Sequence, residues 1–249
     1  MKILGYNLKF VSSENLAEGA QIYFKIWKIP VTSTLVSGLI VSLMLIILFF
    51  FLTRKMRIVP TKRQFVAEFL FLASEYLASL ALAKKARQFV PFTGALFFYI
   101  FLSNILGFFP IPIITFSKSL IEFKPFLRSP TSDLNSTVGL ALCSISYITY
   151  YAIKSQGFKN YIKGFFQPSF ILSPLNIIGE IAKPFSLSMR LFGNIFSGML
   201  IMALIYKYLP AILPAFFHLY FDIFAGLIQS LIFTSLTTVY MSFAVGNDE

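Results

Sequence analysis

Apolar stretches long enough to cross a bilayer alternate with short basic loops along this chain. Val31 to Thr53 is free of charge, and about 20 helical residues cover the roughly 30 Å of hydrocarbon in a membrane. Trp27 precedes it, where an amphipathic ring suits the interface. Phe89 to Phe109 is a second run, holding Asn104 and ending at Pro110 and Pro112. A third, about Leu134 to Ile153, opens after Asp133. Thr131 or Ser132 is placed to cap it by accepting orphan amides at the helix start. Two long segments, about Pro174 to Tyr206 and Leu213 to Val245, close the chain with Pro210 between them. Residues Phe65 to Ala83 differ, because Glu68 and Glu75 are seven apart and share one helical face. Two unpaired acids are costly in hydrocarbon. The pattern therefore predicts an amphipathic helix at the cytoplasmic interface, ending in Lys84, Lys85 and Arg87, with a fully spanning helix as the weaker reading.

The fold class these elements predict is an all-α integral membrane protein. It has about five spanning or embedded helices, an amphipathic interfacial helix, and two long tilted C-terminal helices forming a hairpin. A single membrane domain over 1–249 divides into an outer-side N-terminal segment 1–29, a first span 30–53, the interfacial helix 61–87, a helical hairpin 88–153 and a closing helix pair 174–247.

Composition agrees with the pattern. The chain is 57% hydrophobic and 12% charged, with 31 Phe and a mean hydropathy of +0.78, which is too apolar for a soluble domain of 249 residues. A net charge of +11 would ordinarily suggest nucleic acid. Here the bases sit in loops between apolar runs, which fits membrane orientation instead and predicts no nucleic-acid partner. The 54–87 connection carries eight Lys or Arg and the 154–163 loop three, which makes both cytoplasmic where the 65–83 helix does not span. The loop 110–132 on the opposite side carries three, and the N-terminal segment four lysines, a mild conflict with this orientation. The single cysteine, Cys143, lies in an apolar run and reads as packing. No secretory signal peptide is expected, because the first long apolar run starts near Pro30 and lacks a small-x-small cleavage site.

Arg190 is the only formal charge between Lys183 and Lys207. A guanidinium at the bilayer centre costs roughly 2.5–3.5 kcal/mol on insertion scales, so it demands a partner or a watery cavity. If the closing segments form a hairpin about Pro210, Arg190 stands level with Gln229, and Asp222 level with Gly198 and Met199. Asp222 then lies about 10–12 Å to the outer side of Arg190, and Glu180 roughly 15 Å to the cytoplasmic side. The order in depth is acid, arginine, acid. Ser186, Arg190, Asn194 and Ser197 share one helical face, and His218, Asp222, Gly226 and Gln229 share another. Two such stripes make one polar seam, which a permanent cation blocks to other cations while the flanking acids exchange ions with water. Ser186, Asn194 and Ser197 also suit plain interhelical hydrogen bonding, Gly193 and Gly198 suit close helix approach, and Glu180 suits a solvated boundary acid. No phosphate loop, metal cluster or nucleophile–base constellation is present, so neither catalytic residues nor a cofactor nor a metal is expected.

Three motifs turn this pattern into a resemblance. They are PTSDLNSTVGLAL (Pro130 to Leu142), KPFSLSMRLFGNIFSG (Lys183 to Gly198) and IQSLIFTSLTTVYMSFA (Ile228 to Ala244). Over about Phe89 to Glu249 the chain resembles subunit a of the F-type ATP synthase membrane motor. The resemblance implies that Arg190 faces a rotating ring of c subunits and keeps two half-channels from short-circuiting. It assigns Asn194 and Gln229 to the motif asparagine and glutamine, and Asp133, with Asn135 beside it, to the outer half-channel. Many bacterial members carry glutamate nine residues after the arginine, where this chain has Met199. The ionisable residue seven before the glutamine is here Asp222, so one acid can replace the other. The implied partners are the c-ring, peripheral-stalk b subunits, the remaining synthase subunits and membrane lipid, in a bacterial plasma membrane. An autonomous secondary transporter with a buried Arg–Asp site is the alternative, but such folds usually carry two similar halves, and no internal repeat is visible.

Overall fold

The computed structural model describes residues 2–3, 6–9, 22–26, 29–54, 56–58, 61–108, 112–117, 120–125, 129–167, 170–208, 216–217 and 219–246. Trp27, Pro210 and His218 lie outside these residues, and with them the turn expected between the last two helices. The helices are α1 (Ser33–Thr53), α2 (Lys62–Leu82), α3 (Ala86–Phe108), α4 (Leu134–Gln156), α5 (Phe158–Gly164), α6 (Ser173–Tyr208) and α7 (Gly226–Val245). A π-helical segment, Leu219–Ala225, leads directly into α7. Among the described residues, six helices are long and apolar enough to cross a membrane: α1, α2, α3, α4, α6 and α7 with its π segment. The chain is an all-α membrane protein in these spans.

Short strands accompany the helices. β1 (Lys2–Ile3), β2 (Tyr6–Lys9), β5 (Pro112–Ser117) and β6 (Leu120–Pro125) form one sheet in the order β1-β2-β6-β5. β2 runs parallel to β6, whereas β5 and β6 form an antiparallel hairpin. β3 (Ile22–Ile26) and β4 (Ile29–Thr32) pair antiparallel. The sequence pattern treats these segments only as terminal and loop regions.

The chain divides into two compact units. Unit 1 holds 1–43, 100–136 and 192–229, and unit 2 holds 44–99, 137–191 and 230–249. The core of unit 2 gathers Ala78, Leu82, Ala86, Phe89, Val90, Ile148 and Met241, with Tyr147 and Tyr151 packed against it. Phe92 stacks on Tyr147 at 3.8 Å and Phe89 meets Tyr151 edge-on at 4.9 Å. Such aromatic pairs add about 0.5–1.5 kcal/mol to what their burial contributes. The end of α7 is held by side chains. Ser155 Oγ donates to Val245 O (3.0 Å), Gln156 Nε2 to Ala244 O (2.6 Å) and Lys85 Nζ to Gly246 O (3.0 Å). A helix leaves its last four carbonyls without intrahelical partners, and a cation there also meets the negative end of the helix dipole.

Helix α2 carries the two acids Glu68 and Glu75. It is itself long and apolar enough to span, and its two acids have partners. Glu68 accepts from Gln64 Nε2 at 2.9 Å, and Glu75 lies 3.7 Å from Arg87. The cost argument for an interfacial position assumed both acids unpaired. Its neighbour α3 approaches closely at Gly94, where an added Cβ would stand 2.6 Å from Ser74 Oγ. Cys143 lies exposed on α4 rather than packed inside.

Candidate functional site

A buried polar network occupies unit 1. Ser129 Oγ donates to Ser103 O at 2.8 Å and lies 2.6 Å from Thr131 Oγ1. Thr131 Oγ1 donates to Asn104 Oδ1 (2.7 Å), and Asn104 Nδ2 donates to Gly226 O (3.1 Å). The chain thus links α3, the turn before α4 and the start of α7 by hydrogen bonds in an apolar setting, where an unmade bond is expensive. The close approach needs a glycine, because a Cβ on Gly226 would stand 2.8 Å from Asn104 Cβ.

Asp133 rather than Thr131 or Ser132 caps α4. Its Oδ1 accepts from the backbone N–H of Asn135 at 3.0 Å. Thr131 is spent in the network, and Ser132 Oγ donates to Ser129 O at 2.7 Å. The other oxygen of Asp133, Oδ2, accepts from Thr34 Oγ1 of α1 at 2.8 Å.

Asp222 sits half-buried in the π segment. Its Oδ1 lies 3.9 Å, and Ser129 Cβ 3.6 Å, from the point where a Cβ on Gly107 would stand. The network and Asp222 therefore converge on the C-terminal end of α3. Across from the π segment, Phe221 Cδ1 lies 3.5 Å from the Cβ position of Gly198, so Phe221 packs on that glycine. The hairpin count sets Gly198 level with Asp222, the residue after Phe221. Gly193, expected to allow close approach as well, has open space at its Cβ position. Gln229 is buried, and its Nε2 makes no hydrogen bond. Asn194 is half-buried, and its carbonyl accepts from Ser197 Oγ at 3.0 Å.

Arg190 and Glu180 belong to unit 2. On α6, Leu187, Ser188 and Leu191 are buried while Ser186 and Arg190 are exposed. The face bearing the guanidinium is thus the one this chain leaves uncovered. Glu180 pairs with Lys183 at 2.5 Å, and Lys183 Nζ lies 5.4 Å from the centre of the Tyr240 ring. Glu180, Lys183, Asn176, Thr149, Gln156 and Tyr240 all line a cavity of about 420 Å³. A cavity of that size with polar walls holds several waters. Among the described residues, no three His, Cys, Asp or Glu gather to hold a metal.

Residues 35–242 match the model of the ATP synthase A chain family. The chain belongs to that family. It is 38% identical over 224 residues to the ATP synthase subunit a, sodium ion specific, of Propionigenium modestum, covering 90% of this chain and 78% of the relative. It is 33% identical over 220 residues to ATP synthase subunit a of Moorella thermoacetica, covering 88% and 93%. A subunit a of Bradyrhizobium sp. is 30% identical over 226 residues, covering 91% and 94%. Subunit a is a membrane-sector component of the synthase, distinct from its catalytic subunits, and its membership implies the other synthase subunits as partners. The family model spans both acids, the arginine and the network. Sequence reasoning singled out Asn104 as a polar residue in a span but gave no role to Ser103, Gly107 or Ser129. The adjacent pair Ser103 and Asn104, polar inside an apolar run, was the available signal.

Proposed function

We propose that this chain is the ion-translocating stator subunit of an F-type ATP synthase. It presents two offset half-channels to the carboxylates of the c-ring, and Arg190 separates them. Asp222 serves the outer half-channel, with Asp133 and His218 as polar neighbours, and Glu180 serves the inner one. Asn194 and Gln229 are the further polar residues of the ion path. Peripheral-stalk b subunits hold the chain against rotation, in a bacterial plasma membrane.

The observation that carries this reading is the exposed position of Arg190 on α6. A guanidinium on an uncovered face of a membrane helix requires a partner or water, and a ring of c-subunit carboxylates is a partner that would meet it there. A guanidinium stays charged at all relevant pH, so it repels any cation that would pass between the two half-channels. The cavity at Glu180 and the buried polar groups about Asp222 give each half-channel a polar lining of its own. The sodium-specific relative makes sodium the first coupling ion to test.

Arg190→Ala tests the reading. Inverted membrane vesicles bearing the variant complex should show no ATP-driven ion uptake, with the subunit still present in the purified complex. Arg190→Lys should fail substantially as well, because a desolvated lysine can lose its proton. Coupled pumping at the normal rate in Arg190→Ala would overturn the role.

A further inference from the structure

We infer that unit 2 carries a binding site for an anionic phospholipid of the cytoplasmic leaflet. A second large cavity, about 630 Å³, lies against α1, α2 and α3, walled by Phe49, Met56, Leu70, Phe71, Val90 and Phe98. Its volume falls within the roughly 300–1,000 Å³ typical of ligand pockets. Its wall is mostly hydrocarbon and aromatic, with Thr53, Glu68 and Ser74 as its polar members, so it accepts an acyl chain. It is distinct from the cavity at Glu180, with which it shares no residue.

The charge at one end decides what the occupant carries. Thr53 and Met56 mark the end of the cavity beside the α1–α2 connection. Arg54 and Arg57 adjoin them in sequence, and Lys62 and Arg63 open α2. No acid occurs between Thr53 and Ala67. Two of the guanidiniums are held against rings, Arg63 at 4.6 Å from the centre of Phe51 and Arg54 at 6.0 Å from that of Phe50. The backbone at Arg57 is fixed by Gln64, whose Oε1 accepts from Arg57 N at 3.0 Å while its Nε2 donates to Arg57 O at 2.9 Å. Gln64 is buried and also donates to Glu68, which lines the cavity. The basic turn is therefore fastened to the cavity by a definite set of bonds. Guanidiniums bind phosphate oxygens in pairs of parallel hydrogen bonds, and basic residues beside a membrane helix favour anionic lipid. An apolar slot with fixed cations at its cytoplasmic end matches one molecule that is anionic at the head and hydrocarbon below. A partner helix would fill the slot without using the cations.

The test uses the whole synthase in vesicles of equal parts phosphatidylglycerol and phosphatidylcholine. One of the two lipids carries a photoreactive group near the end of an acyl chain, and crosslinked peptides are mapped by mass spectrometry. Phosphatidylglycerol should label the peptides bearing Phe71 and Phe98 several-fold more than phosphatidylcholine does. Arg57→Gln with Arg63→Gln should remove that preference, and Ala95→Trp, which fills the cavity, should remove labelling by both lipids. ATP-driven pumping need not change in Arg57→Gln with Arg63→Gln, so this result is separable from that at Arg190. Equal labelling by the two lipids in the unaltered complex would overturn the proposal. So would capture of another subunit, with no lipid, by a photoreactive residue placed at Leu72.

Discussion

Gly226→Ala is a one-carbon change whose outcome the geometry fixes. The new Cβ would stand 2.8 Å from Asn104 Cβ, 3.4 Å from its Nδ2 and 3.5 Å from its Cγ. The first distance is roughly 0.6 Å short of the 3.4 Å at which ordinary contact begins. Asn104 cannot swing aside, because its Cβ moves only with the α3 backbone and its amide is held by Thr131 and by Gly226 O. The start of α7 must move away from α3, and the 3.1 Å bond to Gly226 O lengthens. Overpacking of this kind costs about 1–3 kcal/mol, and a weakened hydrogen bond in a membrane about 0.6 more. Alanine returns about 1 kcal/mol through its better helix propensity. The net expectation is a loss of about 0.6–2.6 kcal/mol, and Asp222, one turn earlier, is displaced with the helix. Two measurements check this: the temperature at which the purified complex loses the subunit, and ATP-driven pumping in inverted vesicles. Both should fall. The double variants are more decisive. Both Asn104→Ala and Asn104→Gly, each combined with Gly226→Ala, lose the amide bonds, but only the glycine version removes the offending Cβ, so it should let the start of α7 return toward α3 and regain more pumping than the alanine version. A Gly226→Ala complex indistinguishable from the unaltered one, or equal recovery by both doubles, would refute the contact argument.

Three further expectations follow from the acids and their surroundings. Asp222→Asn should slow ion transfer several-fold without opening a passive leak if Arg190 is the barrier proposed above; passive flux through de-energised vesicles checks this, and a large leak would mean the barrier lies elsewhere. Met199→Glu combined with Asp222→Ser should pump better than Asp222→Ser alone, because Phe221 packs on Gly198 and so brings these levels together; at matched expression, no gain would show that the two positions do not share an ion path. Asp133→Ala removes both the helix cap and the acceptor of Thr34 and should cost about 0.5–2 kcal/mol, read as a lower dissociation temperature, while Asp133→Asn should retain most of the cap.

The spans were legible because each needs only a run of about 20 apolar residues, a signal that lies wholly within the local sequence. Arg190 stood out for the same reason, as one charge in a long apolar stretch. What failed was whatever depended on a partner. Glu68 and Glu75 read as unpaired acids, yet Gln64 and Arg87 stand beside them. The cap of α4 went to Asp133 because Thr131 was already bonded to Asn104, a residue 27 positions away. The bond from Asn104 to Gly226 spans 122 positions, and no periodicity announces a contact at that range. The hairpin β5–β6 was hidden in a segment whose Lys118, Glu122, Lys124 and Pro125 read as a polar loop. The π segment was hidden too, because a helical stripe counted at four-residue steps looks the same until the backbone is seen.

That π segment bears on how this region can change over generations. A π turn closes its hydrogen bonds from i to i+5, so it is an α-helix carrying a surplus residue. Loss of a single residue between Leu219 and Ala225 would let the segment relax into ordinary α geometry. Everything on its N-terminal side would then swing by about 100° around the axis, while Gln229 and the rest of α7 kept their places. The segment is thus a point where insertions and deletions are absorbed, and where one deleted codon would turn the carboxylate of Asp222 to a different face while leaving the helix itself intact.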